Sequence, residues 1–370
     1  MKRDLPDWLQ PLLTIVTAKP YTGEMVRFRR TPLQHLAGAV VSTILGISIS
    51  SLGMMLGAGG VSLVPIGWGL TVHGTHKLYL TLRHACAHYT VTGHRRLDDA
   101  IGNAISVLTL SLNHRAYQRR YLQVHHAARL LKPGDGTYDF LIQTAGLRPG
   151  KSLSWLWRKV ILTLISPRIH LRRLLDRLSG CFFSDDWVHN LVALVWWGLV
   201  TTVVTLGQVW LPFLVVWGIP ITVLFNVVTA LRLFVEHRWP HPQYRNARHR
   251  RALAEMTAAI FFGEATPEFS GAEPGWVRVY RWALWWGRLL GYHLPARALV
   301  LTGDAPCHDY HHRHPSSRDW SNASVARQQD LEAGCPGWPI SYLENWGLCA
   351  AIQDSLMSLS RQSSDVLNHR

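Results

Sequence analysis

Residues 187–231 read WVHNLVALVWWGLVTTVVTLGQVWLPFLVVWGIPITVLFNVVTAL, and none of these 45 residues is Asp, Glu, Lys or Arg. A second block, residues 31–76, contains 46 residues and is equally free of charge. One membrane-spanning helix needs about 20 apolar residues, so each block can hold two spans and a tight turn. A soluble helix needs a polar outer face, which these blocks lack. The sequence therefore predicts an all-α integral membrane protein.

Turn residues near the middle of each block divide it into a predicted hairpin. Gly57, Gly59 and Gly60 lie in the first block, and Gly207 and Pro212 lie in the second. We expect four transmembrane helices, as two hairpins, near residues 33–55, 60–80, 187–206 and 210–232. All Lys and Arg residues lie outside the charge-free blocks, so the positive-inside rule places both termini and residues 77–186 in the cytoplasm. The predicted location is a bacterial inner membrane.

The expected organisation is a cytoplasmic N-terminal tail (1–30), a membrane domain (31–330) and a cytoplasmic C-terminal tail (331–370). The net charge of +15 suits a cytoplasmic face that lies against anionic lipid. Basic residues alternate with Trp and Leu rather than forming a solvated stripe, so nucleic acid is not an expected partner. We expect a helical cap on the cytoplasmic face to carry the histidine clusters described next.

The clearest histidine cluster is the H-x-x-H-H motif in residues 307–315, CHDYHHRHP. On a helix, its three histidines are spaced i, i+3 and i+4 and can face one point, where neutral imidazoles bind a transition metal. Three further clusters also lie just outside apolar spans. The eight clustered histidines are His84, His88, His125, His126, His237, His308, His311 and His312. Eight imidazoles exceed the needs of one metal ion and predict two.

The composition of these clusters favours a redox metal over a hydrolytic one. Imidazole ligands with few carboxylates suit iron, copper or zinc, but zinc alone uses fewer ligands and indicates hydrolysis. Two iron ions with O2 can remove hydrogen from the unactivated C–H bonds of a lipid chain. Carboxylates close to the clusters could orient imidazole N–H groups, although Asp98 and Asp99 fit ordinary surface charge equally well. These carboxylates are Asp98, Asp99, Glu236 and Asp309.

Because of these histidine motifs and the apolar blocks between them, residues 30–330 resemble the membrane fatty acid desaturase/hydroxylase superfamily. The order of His84-x-x-x-His88, His125-His126, Glu236-His237 and the H-x-x-H-H motif between two predicted hairpins is similar to that of the family. The segment from Arg83 to His88, followed by Arg95-Arg-Leu-Asp-Asp-Ala-Ile-Gly102, resembles the family's first box and its sequel. The resemblance implies that all eight histidines bind two iron ions, that O2 is the co-substrate, and that a lipid acyl chain is desaturated or hydroxylated.

The second box departs from the family pattern. The family usually has H-x-x-H-H or H-x-x-x-H-H there, and this chain has Leu122 or Tyr121 at the first position. His114, His94 or water could supply the replacement ligand. The chain contains no His-Pro-Gly-Gly haem motif, so the resemblance implies a separate electron donor, a ferredoxin or a cytochrome b5-like protein with its reductase.

Three functions are compatible with the sequence. The leading prediction is a fatty acid desaturase. The first alternative is a hydroxylase or ketolase of the same superfamily, and the second is a non-catalytic membrane protein whose clusters bind zinc or no metal. The sequence leaves open the acyl length, the position of the bond, the acyl carrier and the oligomeric state.

Overall fold

The computed structural model describes residues 5–24, 28–122, 130–241, 243, 250–270 and 273–363, and these residues are mostly helical. In chain order the α-helices are α1 (Gln10–Thr17), α2 (Pro32–Met55), α3 (Leu63–Lys77), α4 (Arg83–Ala87), α5 (Arg95–Leu108), α6 (His114–Arg120), α7 (Gly136–Tyr138), α8 (Leu153–Ile165), α9 (Pro167–Phe182), α10 (Trp187–Leu206), α11 (Trp210–Phe213), α12 (Phe225–Glu236), α13 (Arg250–Met256), α14 (Gly275–Arg288), α15 (His308–Arg313), α16 (Ala323–Glu332) and α17 (Leu348–Ser360).

The chain forms two compact units. The terminal unit contains Met1–Arg29, Arg148–Leu153 and Phe234–His369, and the central unit contains Arg30–Leu147 and Ser154–Leu233.

Three helices in the described part of the chain are long and apolar enough to cross a membrane, namely Pro32–Met55, Trp187–Leu206 and Trp210–Glu236. They confirm long apolar helices at the predicted spans 33–55, 187–206 and 210–232. The helix at the remaining predicted span, 60–80, is α3, which continues through a π-helical segment, Leu78–Leu82, into α4. It is not among the three, since its last part carries His73, His76 and Lys77. The fourth span and the hairpin arrangement stay predictions.

Helices α2 and α3 pack closely because small residues lie between them. A Cβ atom added at Gly67 would overlap Ser50 Oγ and would lie 2.7 Å from the Ser50 backbone nitrogen. Gly46 and Gly74 leave equally little space, and Ser42 Oγ donates a hydrogen bond to the Leu70 carbonyl across the pair at 2.9 Å. Small residues at helix interfaces let backbones approach in a membrane, where the hydrophobic effect does not hold helices together.

The helix Trp210–Glu236 widens into two π-helical segments, Leu214–Gly218 and Pro220–Leu224. Pro220 has no N–H to donate and its ring crowds the preceding turn, which disturbs the regular hydrogen-bond ladder. The Trp68 indole donates a hydrogen bond to the Val215 carbonyl at 2.7 Å. This bond from α3 satisfies a backbone group within an apolar helix, as a membrane environment requires.

Side chains on α9 and α10 connect these helices to other parts of the central unit by donating hydrogen bonds to backbone carbonyls. Arg177 on α9 donates to the Leu110 carbonyl at 3.1 Å and to the Ile221 carbonyl at 2.7 Å. The Trp197 indole on α10 donates to the Val107 carbonyl at 2.9 Å.

The terminal unit includes a short sheet that the all-α prediction omitted. Strands β1 (Ala259–Phe261) and β2 (Glu344–Trp346) pair in parallel, with Ala259 opposite Glu344. Three-residue strands carry too little pattern to be recognised in sequence. Leu13 and Val16 of α1 pack on Trp285 of α14 and on Leu289, the residue after its end, so part of the predicted N-terminal tail belongs to this unit's core.

Candidate metal centre

The H-x-x-H-H motif forms the short helix α15, all six residues of which are buried. A 3₁₀ turn, Ala305–Cys307, leads into the helix, and Pro315 follows its end, where a proline disfavours further helix. His308 and His312 are one helical turn apart, and their Nε2 atoms lie 3.1 Å from each other. The helical spacing thus brings two imidazole nitrogens to one place, as the sequence predicted.

His237 joins this pair from the end of a long apolar helix. It directly follows Glu236, the last residue of the apolar helix Trp210–Glu236. Its ring centroid lies 5.1 Å from that of His308 and 5.0 Å from that of His312. One nitrogen from each of the three buried rings lies within 4.8 Å of the other two. We call His237, His308 and His312 the three-histidine group.

Two contacts of neighbouring residues support this group. Glu236 Oε1 lies 3.3 Å from His308 Nε2, the same nitrogen that approaches His312, so the carboxylate lies beside the point where an ion would be held and can offset its charge. The Ser355 hydroxyl donates to the His237 carbonyl at 3.0 Å and fixes the backbone there. The sequence predicted that Glu236 orients an imidazole N–H group, whereas the structure places its carboxylate beside the His308 nitrogen that faces His312. Sequence reasoning missed Ser355, which lies 118 positions from His237.

Asp309 has a different partner from the one predicted. Asp309 directly follows His308 in α15. Its two carboxylate oxygens accept hydrogen bonds from Arg327 Nε at 3.1 and 2.9 Å. The guanidinium also donates to Glu344 at 2.9 Å and to the Leu343 carbonyl at 3.2 Å. Asp309 therefore anchors α15 to α16 and β2, and does not orient an imidazole.

Charge and stacking keep Arg327 ionised in this buried position. Burial alone would lower the pKa of Arg327, but Asp309 and Glu344 raise it. The guanidinium lies 4.4 Å from the Tyr342 ring centroid and 5.1 Å from that of Phe261. Arg327 carried no signal in the sequence, because it lies outside the histidine motifs and meets Asp309 only in the folded chain.

The remaining histidine of the motif, His311, is also buried. Its ring stacks on that of His308 with centroids 5.8 Å apart and an interplanar angle of 20°. It is not a member of the three-histidine group. The His311 ring therefore contacts His308 without joining the converging nitrogens, although the spacing alone allowed all three histidines to face one point.

The first box lies in the central unit, immediately after the π-helical segment Leu78–Leu82. The ring centroids of His84 and His88 are 5.1 Å apart. Tyr121 packs edge-on against both rings, with centroids 4.6 Å from His84 and 5.9 Å from His88. Leu122 is exposed, so Tyr121 is the residue of the altered second box that faces the first box. His125 and His126 lie outside the described residues.

The predicted replacement ligands and orienting carboxylates of the central unit have other surroundings. His94 is exposed. His114 is fully buried, and burial, with Arg83, Arg115 and His189, lowers its pKa to about 4. Asp99 Oδ1 lies 3.9 Å from His114 Nε2. Asp98 is fully buried. Its carboxylate accepts hydrogen bonds from the Thr92 hydroxyl at 2.7 Å and from the Thr92 amide at 2.9 Å, and these bonds hold the loop between the two residues.

The three-histidine group has the chemistry of a transition-metal site. Its donors are buried, they can converge on one ion, and a carboxylate lies beside them, a set that suits iron and also accepts zinc or copper. No family model matches the chain, and no curated protein matches it at a significant level. The inference of metal binding therefore comes from the residues themselves.

Proposed function

We propose that this chain is an integral membrane oxidoreductase that uses iron and O2 to oxidise a lipid acyl chain, most directly by desaturation. The observation that carries the proposal is the position of the three-histidine group. His237 is the first residue after a 27-residue apolar helix, and His308 and His312 meet it there. A metal at the end of a membrane helix lies where an alkyl chain can approach from the bilayer.

The residues of the group have separate tasks in this proposal. The three imidazoles hold the ion, and Glu236, whose carboxylate lies beside His308 Nε2, balances its charge. The pair of Asp309 with Arg327 fixes α15, so that the two imidazoles stay one helical turn apart. Bound iron would supply the O2 chemistry that removes hydrogen from an unactivated C–H bond.

The proposal includes a second iron, as the family resemblance implies. His84 and His88 in the central unit are its first candidates, with His125, His126 and His311 as the remaining implied ligands. The electrons would come from a separate ferredoxin or cytochrome b5-like protein and its reductase. The net charge of +15 favours an acidic donor by charge complementarity.

The proposed topology is the four-span arrangement of two hairpins with a cytoplasmic cap, both termini being cytoplasmic in a bacterial inner membrane. Three apolar helices and the close packing of α2 on α3 through glycines support it. The exposed apolar side chains of α10, among them Leu194, Val195 and Leu199, suit contact with lipid.

The test is lipid profiling of bacterial cells that express the full chain, with His312→Ala as the matched inactive variant. A new double bond in the acyl chains, absent with His312→Ala, supports desaturation. A new hydroxyl or keto group instead assigns the chain to the hydroxylase or ketolase alternative. Unchanged lipids, together with zinc or no metal in the purified protein, would favour the non-catalytic alternative and end the proposal.

A further inference from the structure

Tyr121 is buried in the central unit, and its ring touches both histidines of the first box. His84 and His88 offer two nitrogen donors, whereas zinc sites in proteins use three or four protein ligands, so a further donor is expected for a transition metal held by this pair. A phenolate oxygen is an accepted ligand of iron, as in the tyrosine-ligated haem of catalase. Tyr121 is therefore a side chain with a suitable donor atom packed against the imidazole pair.

Aromatic contacts hold Tyr121 beside the first box. Tyr117, one helical turn earlier, lies against Tyr121 with ring centroids 5.4 Å apart. The guanidinium of Arg83 lies 4.0 Å from the Tyr117 ring centroid and is itself almost fully buried. These contacts fix the position of the Tyr121 ring against His84 and His88.

The position of Tyr121 in the sequence agrees with this. Counted back from His125 and His126, it stands at the first position of an H-x-x-x-H-H pattern, the position where the second box departs from the family. Its exposed neighbour Leu122 offers no donor atom. A tyrosine that faces the imidazoles from this position can supply the missing ligand by itself.

We propose that Tyr121 is a metal ligand, and that its phenolate oxygen completes the coordination of the ion held by His84 and His88. Coordination transfers the phenolic proton to solvent, and an oxygen lone pair makes the bond to the metal without changing its oxidation state. The inference rests on the proposed function, because it requires iron at this box.

The test uses the purified full chain in detergent, loaded with Fe²⁺ and then oxidised in air. A tyrosinate bound to Fe³⁺ absorbs visible light through charge transfer from oxygen to iron, which imidazole and carboxylate ligands do not produce. We expect a visible band in the wild-type chain and its loss in Tyr121→Phe. We also expect the iron affinity of Tyr121→Phe to fall at least about tenfold, the range that even outer partners of ligands contribute.

Two further variants make the result specific. Tyr117→Phe keeps the neighbouring ring, so its band should match that of the wild type. Tyr121→His restores an imidazole at the box, and it should bind iron as the wild type does but without the band. A wild-type protein that binds iron at both boxes without a visible band, or a band that survives in Tyr121→Phe, overturns the inference and leaves the proposed function intact. A wild-type protein that binds no iron overturns both.

Discussion

At the scale of single residues, His237 is the least obvious member of the three-histidine group, because it stands alone in the sequence. Its place comes from the end of the apolar helix and from its contacts with His308 and His312. Under the proposed function, we expect His237→Ala to lower both the iron content and the turnover of the purified protein by at least about tenfold. Metal analysis and product quantification on the same preparation check this.

The control is His241→Ala, four residues further on at an exposed position. Its iron content and turnover should equal those of the wild type. If His237→Ala keeps full iron occupancy and turnover, His237 is only an interfacial residue and the group loses its third ligand.

The buried pair of Asp309 and Arg327 gives a second prediction at this scale. Both side chains are almost fully buried, with Arg327 Nε 2.9 Å from Asp309 Oδ2. Removing one partner leaves an uncompensated buried charge, which costs about 3–5 kcal/mol. We expect Arg327→Met to lower the free energy of unfolding by that amount, measured by chemical denaturation in detergent.

An exposed pair of the same kind is the control. Arg251 lies 3.3 Å from Glu255 at i, i+4 spacing on α13, with about half of the arginine side chain exposed. Exposed pairs contribute about 0–1 kcal/mol, so Arg251→Met should change stability little. Equal losses in the two variants would mean that Arg327 does not anchor α15.

His114 predicts a dependence of stability on pH. Burial lowers its pKa to about 4 from an ordinary value of 6.5, so between these values the unfolded chain takes up a proton that the folded chain does not. Stability from this residue is therefore complete above pH 6.5 and is lost as the pH falls toward 4. The slope approaches about 1.4 kcal/mol per pH unit.

The measurement compares wild type and His114→Gln by denaturation at pH 7 and at pH 4.5. The wild type should lose about 2–3 kcal/mol more than the variant between these two conditions. Parallel losses in the two proteins would show that His114 titrates normally in the folded state.

At the scale of elements, the contact between α2 and α3 depends on glycine. A Cβ at Gly67 would lie 2.5 Å from the Gly46 carbonyl oxygen and would overlap Ser50 Oγ, whereas a Cβ at Gly69 meets nothing within 4 Å. We expect Gly67→Ala to destabilise the protein by about 1–3 kcal/mol, as overpacking does. Gly69→Ala should leave stability unchanged. Thermal unfolding of both variants in the same detergent checks this, and a similar melting temperature for the two would contradict the close packing.

Elements that depend on contiguous sequence were predictable, and those that depend on distant partners were not. The absence of charge over 187–231 is a local property, and it located α10 and the helix Trp210–Glu236 within a few residues. The spacing within 308–312 likewise predicted the approach of His308 and His312. By contrast, β1 pairs with β2 across more than 80 positions, and Asp309 finds Arg327 in a different helix. Neither partner leaves a periodic signal in the chain.

At the scale of the whole molecule, the number of spans decides where each loop and terminus lies. The helix that begins at Leu63 continues through a π-helical segment to Ala87. This length is enough to cross a bilayer, but the helix is not among the three that are both long and apolar enough to do so. The Trp68 indole of this helix donates a hydrogen bond to the Val215 carbonyl. Val215 lies in Trp210–Glu236, one of the three helices that are long and apolar enough to cross a membrane. A membrane-embedded partner of this kind lets a less apolar helix cross, because its polar groups face protein rather than lipid.

Reporter fusions at residues 1, 130 and 370 distinguish the two arrangements. With four spans, all three positions lie on the same side, which the distribution of Lys and Arg makes the cytoplasm. With three spans, residue 1 lies on the side opposite to residues 130 and 370, because only α2 would separate them before α10. We expect cytoplasmic reporter activity at all three fusions. A periplasmic signal at residue 130 would show that α3 does not cross, and it would place His84 and His88 on the wrong side for a cytoplasmic electron donor.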